Sequence, residues 1–108
     1  MERLTDDLVK AIEKESPFII RAKDKNIEFV KPKNGNYFSY EELQELVEGN
    51  FEKICLQYPE CHSMYINRDG KFKGLEQNVY ATYLFIRSYS EIEIIFGDVM
   101  VCSSKFIK

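Results

Sequence analysis

The sequence predicts an α+β domain built on a mainly antiparallel sheet of four to five strands, with two or three helices packed on one face. Three observations carry this expectation. Segments 3–15 and 39–48 place apolar residues at helical spacing. The short runs "FIIRA", "IEFVK", "FEKICLQ" and "SMYIN" are rich in β-branched and aromatic residues and read as strands. Lys, Asp, Asn and Gly stand between several of these runs and supply the chemistry of reversing turns. At 108 residues the chain fits one domain, 1–108, with a single hydrophobic core.

Taken in chain order, segment 3–15 puts Leu4, Leu8, Ala11 and Ile12 on one stripe, and Ser16-Pro17 ends it, because the residue before a proline is pushed out of the helical region. "FIIRA" and "IEFVK" flank "KDKN" as a β-hairpin, and "PKNGNYF" is a loop. Ser39 with Glu42 three residues on is a capping box, and Phe38 with Leu43 stands where a hydrophobic staple would sit. Leu43, Leu46 and Val47 then form the buried stripe, with Gly49 as the expected stop. "YPECH" is a bend between two strands, and Asp69-Gly70 a turn. "LEQNVYATYLFI" suits a strand by composition and a helix by the spacing of Leu75, Val79, Tyr83 and Ile86, and we expect helix. "IEIIF", Gly97-Asp98 and "VMVCS" close the chain as one bent strand or two short ones.

Composition excludes several function classes. A net charge of −3 disfavours general nucleic-acid binding, which needs a strongly basic face, and is too small for a DNA mimic. Segment 1–10 is charged and amphipathic, unlike a secretory signal, and no apolar run approaches the roughly 20 residues of a membrane span. Three cysteines without framework spacing suit a reducing cytoplasm. Aromatic residues make up 14%, all Phe and Tyr, enough for a core with some left over for a contact surface or a homodimer.

No cofactor or catalytic residue is legible. Cys55, Cys61, His62 and Cys102 lack the close ligand pair of a zinc site, and Cys55 and Cys102 are expected to act as small core residues. Cys61 and His62 are sequence neighbours, so on a strand they would face opposite sides and make a poor nucleophile–base pair. Glu41, Glu42, Glu45 and Glu48 serve a cap, a helix dipole and a solvated face. "NGN" precedes a helix, but Tyr37, Phe38 and Ser39 intervene and no phosphate-loop lysine follows; "DGKFKG" is nearer a hairpin turn than a phosphate loop, and 67–70 lack the carboxylate ladder of a calcium loop.

Two features remain as binding candidates. Arg21, Lys23, Lys25, Lys31 and Lys33 form a basic patch on and after the first hairpin, either protecting a sheet edge or docking an anionic ligand or an acidic partner surface. "NRDGKFKGLEQN", 67–78, is either a turn leading to a helix or a site in which Asn67, Arg68, Lys71 and Asn78, with Asp98, contact a ligand or partner. As a turn, it would use Asn67 and Gly70 at positive φ and Asn78 as a cap or bridge to backbone groups.

From Ile27 onward, "YEELQELVEGNFEKICL", "NRDGKFKGLEQN" and "IFGDVMV" together resemble a family of small domains of unknown function found in phage, plasmid and other mobile-element proteins. The positions that match are Gly49, Asn67, Gly70, Lys71, Leu75, Asn78, Gly97 and Asp98. The resemblance implies an accessory or counter-defence protein of a mobile element and brings no catalytic residues with it; the leading helix and the "YPECH" bend depart from it. The expected function is a non-enzymatic interaction module that takes a protein partner or a small anionic ligand. The alternatives are a small nucleotide-handling protein or enzyme using 67–78, and a structural homo-oligomer.

Overall fold

The computed structural model of the chain describes residues 6–106. Their elements run α1 (Asp6–Lys14), β1 (Phe18–Ile20), β2 (Ile27–Phe29), α2 (Tyr40–Val47), β3 (Phe51–Leu56), β4 (His62–Asn67), α3 (Val79–Tyr89) and β5 (Val99–Ser103), followed by a 3₁₀ turn at Ser104–Phe106. The five strands form one sheet in the order β2-β1-β5-β4-β3, antiparallel at every step. The fold is α+β, as expected. The last strand lies at the centre, between the hairpins β1-β2 and β3-β4.

The helices lie on both faces of this sheet, not on one face as the sequence suggested, because the apolar residues of β1 and β5 point to both sides. Leu8 and Ala11 of α1 and Ala81, Leu84 and Phe85 of α3 pack with Phe18, Ile20, Met64, Val99 and Val101. Leu43 and Val47 of α2 pack with Ile19, Tyr65, Met100 and Cys102 on the opposite side. Two helices therefore share one face, and α2 alone covers the other. Because successive strand residues point to opposite faces, covering both faces buries every residue of β1 and the first four of β5. This is why "FII" and "VMVC" are continuous apolar runs without polar alternation.

The start of α2 forms as the sequence predicts. Ser39 caps it, its hydroxyl accepting from the Glu42 N–H at 3.2 Å, while the Glu42 carboxylate accepts from the Ser39 N–H at 3.0 Å and the Lys33 N–H at 2.9 Å. Chiefly through the Ser39 backbone bond, the Glu42 carboxyl is held below its ordinary pKa. Phe38 and Leu43 are both buried.

Four further expectations need correction. Glu48, not Gly49, takes the left-handed turn that ends α2, at φ 62° and ψ 40°. Gly49 is needed for another reason: a Cβ there would lie 2.9 Å from the Asn67 side-chain nitrogen and 2.8 Å from the Lys73 ammonium. The buried face of α3 is Tyr80, Ala81, Leu84, Phe85 and Ser88, while Val79 is exposed, so the stripe is rotated from the predicted one. "IEIIF" forms no strand and makes only one bridge, Phe96 to Gln77, so "VMVCS" stands alone as β5. Cys102 is buried as expected, but Cys55 is exposed, because β3 is an edge strand. Leu4, expected on the first stripe, lies outside the described residues.

Replacing Ser39 with Ala should cost about 0.5–2 kcal/mol, read as a lower urea midpoint with an unchanged slope. Stability should also fall in acid. The folded pKa of Glu42 lies below its unfolded value near 4.5, so its contribution is complete above that value and is lost as the pH drops through the folded one. Glu42→Gln, which keeps the cap geometry but cannot titrate, should flatten that part of the stability–pH curve measured from about pH 6 to about pH 3.

Candidate functional site

Asn67 ends β4 and is 3% exposed. Its amide nitrogen donates to the carbonyls of Val47 (3.0 Å) and Glu48 (3.3 Å), and its oxygen accepts from the Asp69 N–H (2.8 Å). It satisfies orphan carbonyls at the end of α2, so its side chain already has a full complement of partners.

Asn78 is 1% exposed and joins three elements. Its oxygen caps α3 by accepting from the Ala81 N–H (3.1 Å), and its nitrogen donates to Ile20 (3.0 Å) at the end of β1 and to Gly97 (2.9 Å) ahead of β5. Asp98 accepts from the Ala22 N–H (2.8 Å) and from Arg21 (2.9 Å). Gly97 sits at φ +88° with Leu75 2.8 Å from where a Cβ would be. Asn67 therefore serves the end of α2, whereas Asn78 and Asp98 serve the junction between the exit of β1 and the entry of β5.

The turn reading of 67–78 also changes in detail. Neither Asn67 nor Gly70 has positive φ; that role falls to Gly74, at φ +72°. Gly70 is required by close approach, since a Cβ would meet the Phe96 carbonyl oxygen at 2.8 Å. The loop bonds to itself, with Lys73 N–H donating to Asp69 (2.9 Å) and Leu75 N–H to Gly70 (3.0 Å).

Held by these internal bonds, the loop exposes Phe72, 90% accessible. Phe72, Arg68 and Lys71 share a shallow cleft of about 190 Å³ with Glu52, Glu93 and Ile94. Ile94 is 41% exposed, and Ile92, two residues earlier, is 84% exposed. Among the described residues, neither Arg68 nor Lys71 is in an ion pair. Of the predicted contact residues, Arg68 and Lys71 are thus accessible together. Phe72, Ile92 and Ile94 were not singled out from the sequence, although a phenylalanine between two lysines in a turn is itself an anomaly.

The basic patch divides in two. Pairing of Ile20 with Ile27 and of Phe18 with Phe29 puts Lys23 and Lys25 at the hairpin turn, and Lys31 and Lys33 beyond the opposite end. Arg21 is bound by Glu28 (2.8 and 3.0 Å) as well as Asp98, which raises its pKa further and lowers that of Glu28. Lys33 approaches Glu45 at 3.6 Å. Cys61 and Cys55 are exposed, whereas burial pushes the Cys102 thiol up to about 12. His62 is buried with Nδ1 2.7 Å from the Glu60 carbonyl oxygen. Among the described residues, no group of three or more His, Cys, Asp or Glu is placed to hold a metal, and no helix is long and apolar enough to cross a membrane.

Comparison with known families finds the profile of a domain of unknown function, DUF3846, over residues 16–106. The chain belongs to the DUF3846 family. The match takes in the first hairpin, so the likeness begins earlier than Ile27, while α1 precedes it. No curated protein and no solved structure gives a significant match.

In this DUF3846 domain, stability and surface chemistry should separate cleanly. Gly70→Ala should cost about 1–3 kcal/mol through overpacking against Phe96. Asn78→Ala, which removes a cap and leaves two carbonyls unpaired, should cost about 3 kcal/mol or more. Lys71→Ala should stay within about 0.5 kcal/mol. Denaturant unfolding of the three variants checks all of this, and a Lys71 variant as damaged as the Gly70 one would contradict it.

Proposed function

We propose that this DUF3846 domain is a non-enzymatic interaction module that docks a protein partner through Phe72, Ile92 and Ile94, beside Arg68 and Lys71. The observation that carries the reading is Phe72 itself. A large ring held 90% exposed on an internally bonded loop loses the hydrophobic gain of burial in the free domain and recovers it only on contact. Exposed apolar residues rimmed by charge are the usual make-up of a protein-contact surface. The nucleotide-handling alternative needs donors from Asn67 and Asn78, and both amides already donate to backbone carbonyls. The resemblance to mobile-element proteins supports a role as an accessory or counter-defence factor of a phage or plasmid. The unpaired cysteines suit its working in a reducing cytoplasm.

Self-association is the second reading. The cleft carries both signs of charge, Arg68 and Lys71 against Glu52 and Glu93, and a two-fold contact between identical surfaces requires such self-complementarity.

A photo-crosslinking residue at position 72, expressed in the native host, should give one discrete adduct that the same group at Lys23 does not. An adduct of twice the chain mass identifies the homodimer, and any other discrete mass a separate partner. Absence of adduct from position 72, in a protein that unfolds normally, would remove the proposal.

A further inference from the structure

The sheet leaves a ladder open at β2, the edge opposite the β3 side on which the Phe72 cleft lies. The bonds of the first hairpin fix which groups face outward. Val30 N–H donates to Pro17 at 3.0 Å and Arg21 N–H to Asn26 at 2.8 Å, so Asn26, Glu28 and Val30 are the residues bonded to β1. Ile27 and Phe29 then turn their N–H and C=O groups away from the sheet. Among the described residues, no other backbone or side chain bonds to them. Such a row of groups is a template for one more strand.

A groove runs beside this edge. Asp7, Lys10, Ala11 and Lys14 share one side of α1 and face Ile27 and Phe29 across a cavity of about 220 Å³. At Lys14 and Phe29 it meets a larger cavity of about 520 Å³, walled by Pro17, Val30, Pro32 and Phe106. Phe29 is 47% exposed, with the Lys14 ammonium 4.9 Å from its ring centre. The family profile does not reach α1, the helix that makes the outer wall.

The charge of the groove selects its occupant. Lys10 and Lys14 on α1 and Lys31 just past β2 are exposed and, among the described residues, have no ion-pair partner. Asp7 is the acid that lines the groove, and the Glu28 carboxylate is already held by Arg21. A second copy of the chain, paired β2 to β2 about a two-fold axis, would set these lysines against one another. An acidic strand meets them with opposite charge.

We infer that the β2 edge binds an extended acidic segment of a partner protein, which adds to the sheet as one further strand. Its backbone pairs with the outward groups of Ile27 and Phe29, and its carboxylates lie along Lys10, Lys14 and Lys31. Side chains alternate along a strand, so acids on the α1 side leave apolar side chains for the other, next to the larger cavity. Main-chain bonds supply affinity in this mode, and the lysines choose the partner. The surface is separate from the Phe72 contact and does not depend on it.

The test titrates the whole chain with the capped peptide Glu-Val-Glu-Val-Glu-Phe, followed by amide NMR shifts and hydrogen exchange. In the free chain the Ile27 and Phe29 amides should exchange faster than that of Glu28. Bound peptide should slow both by about tenfold or more, with saturable shifts at Lys14 and Phe29. Lys10→Gln combined with Lys14→Gln should weaken it by about tenfold, and Lys-Val-Lys-Val-Lys-Phe should not bind. Two methylated peptides separate backbone pairing from charge alone, one N-methylated at every Glu and the other at both Val and Phe. Only one set of amides can face β2, so one of the two should lose binding and the other keep it. No saturable shift with the acidic peptide, as expected if the lysines only keep the edge unpaired, would overturn the inference. So would equal binding by the two methylated peptides, or by the basic one. Ile27 and Phe29 amides already slow in the free chain would also overturn it, because the edge would then be covered, as by a second copy.

Discussion

One buried side-chain amide holds the architecture together. Asn78 donates to the last residue of β1 and to the residue two before β5, and accepts from the first turn of α3. Its own N–H donates to Ile95 at 2.7 Å, and Gly97 N–H donates to Glu76 at 2.7 Å, so the chain entering α3 is laced to the chain entering β5. A strand inserted last between two hairpins needs a device that sets where it starts. Here polar groups at three element ends would be buried without partners if Asn78 were elsewhere, and such groups are costly. The register of the central strand follows from satisfying them.

Insertion of β5 also explains how the two faces are covered. The hairpins β1-β2 and β3-β4 meet only through it, and each face then presents apolar residues from at least three strands to a helix. Further contacts at the element ends secure the halves. Asp98 and Arg21 tie the first hairpin to the approach of β5. Ser88 accepts from the Gln57 and Tyr58 N–H groups, and the Tyr89 hydroxyl donates to the Cys55 carbonyl, so α3 covers part of the β3 edge. An edge occupied in this way is less open to another strand.

The positions on which the family resemblance rests are therefore mostly architectural. Gly49, Gly70 and Gly97 stand where a Cβ would strike a neighbour, Asn67 and Asn78 satisfy buried carbonyls, and Asp98 anchors a loop. Such a signature reports a fold and is silent about chemistry. Two features lower stability without a structural return: an exposed phenylalanine in the 67–78 loop and a buried phenol without a hydrogen-bond partner among the described residues. Neither falls on a matching position.

Local chemistry determined what the sequence revealed by itself. The Ser39–Glu42 cap, the first hairpin and the strands β3 and β4 depend on neighbours a few residues apart, and all were legible in that way. Asn78 as a cap was legible too, but its bonds to Ile20, 58 residues away, and to Gly97 were not. Tertiary structure alone decided the strand order, the placing of α2 opposite α1 and α3, and the face that α3 buries, because a period of apolar residues cannot say which surface will cover it. It also decided the status of the candidate sites. Asn67, Arg68, Lys71 and Asn78 are similar polar letters in one short stretch, and only long-range packing separates the two amides consumed by backbone from the two cations left facing solvent beside Phe72.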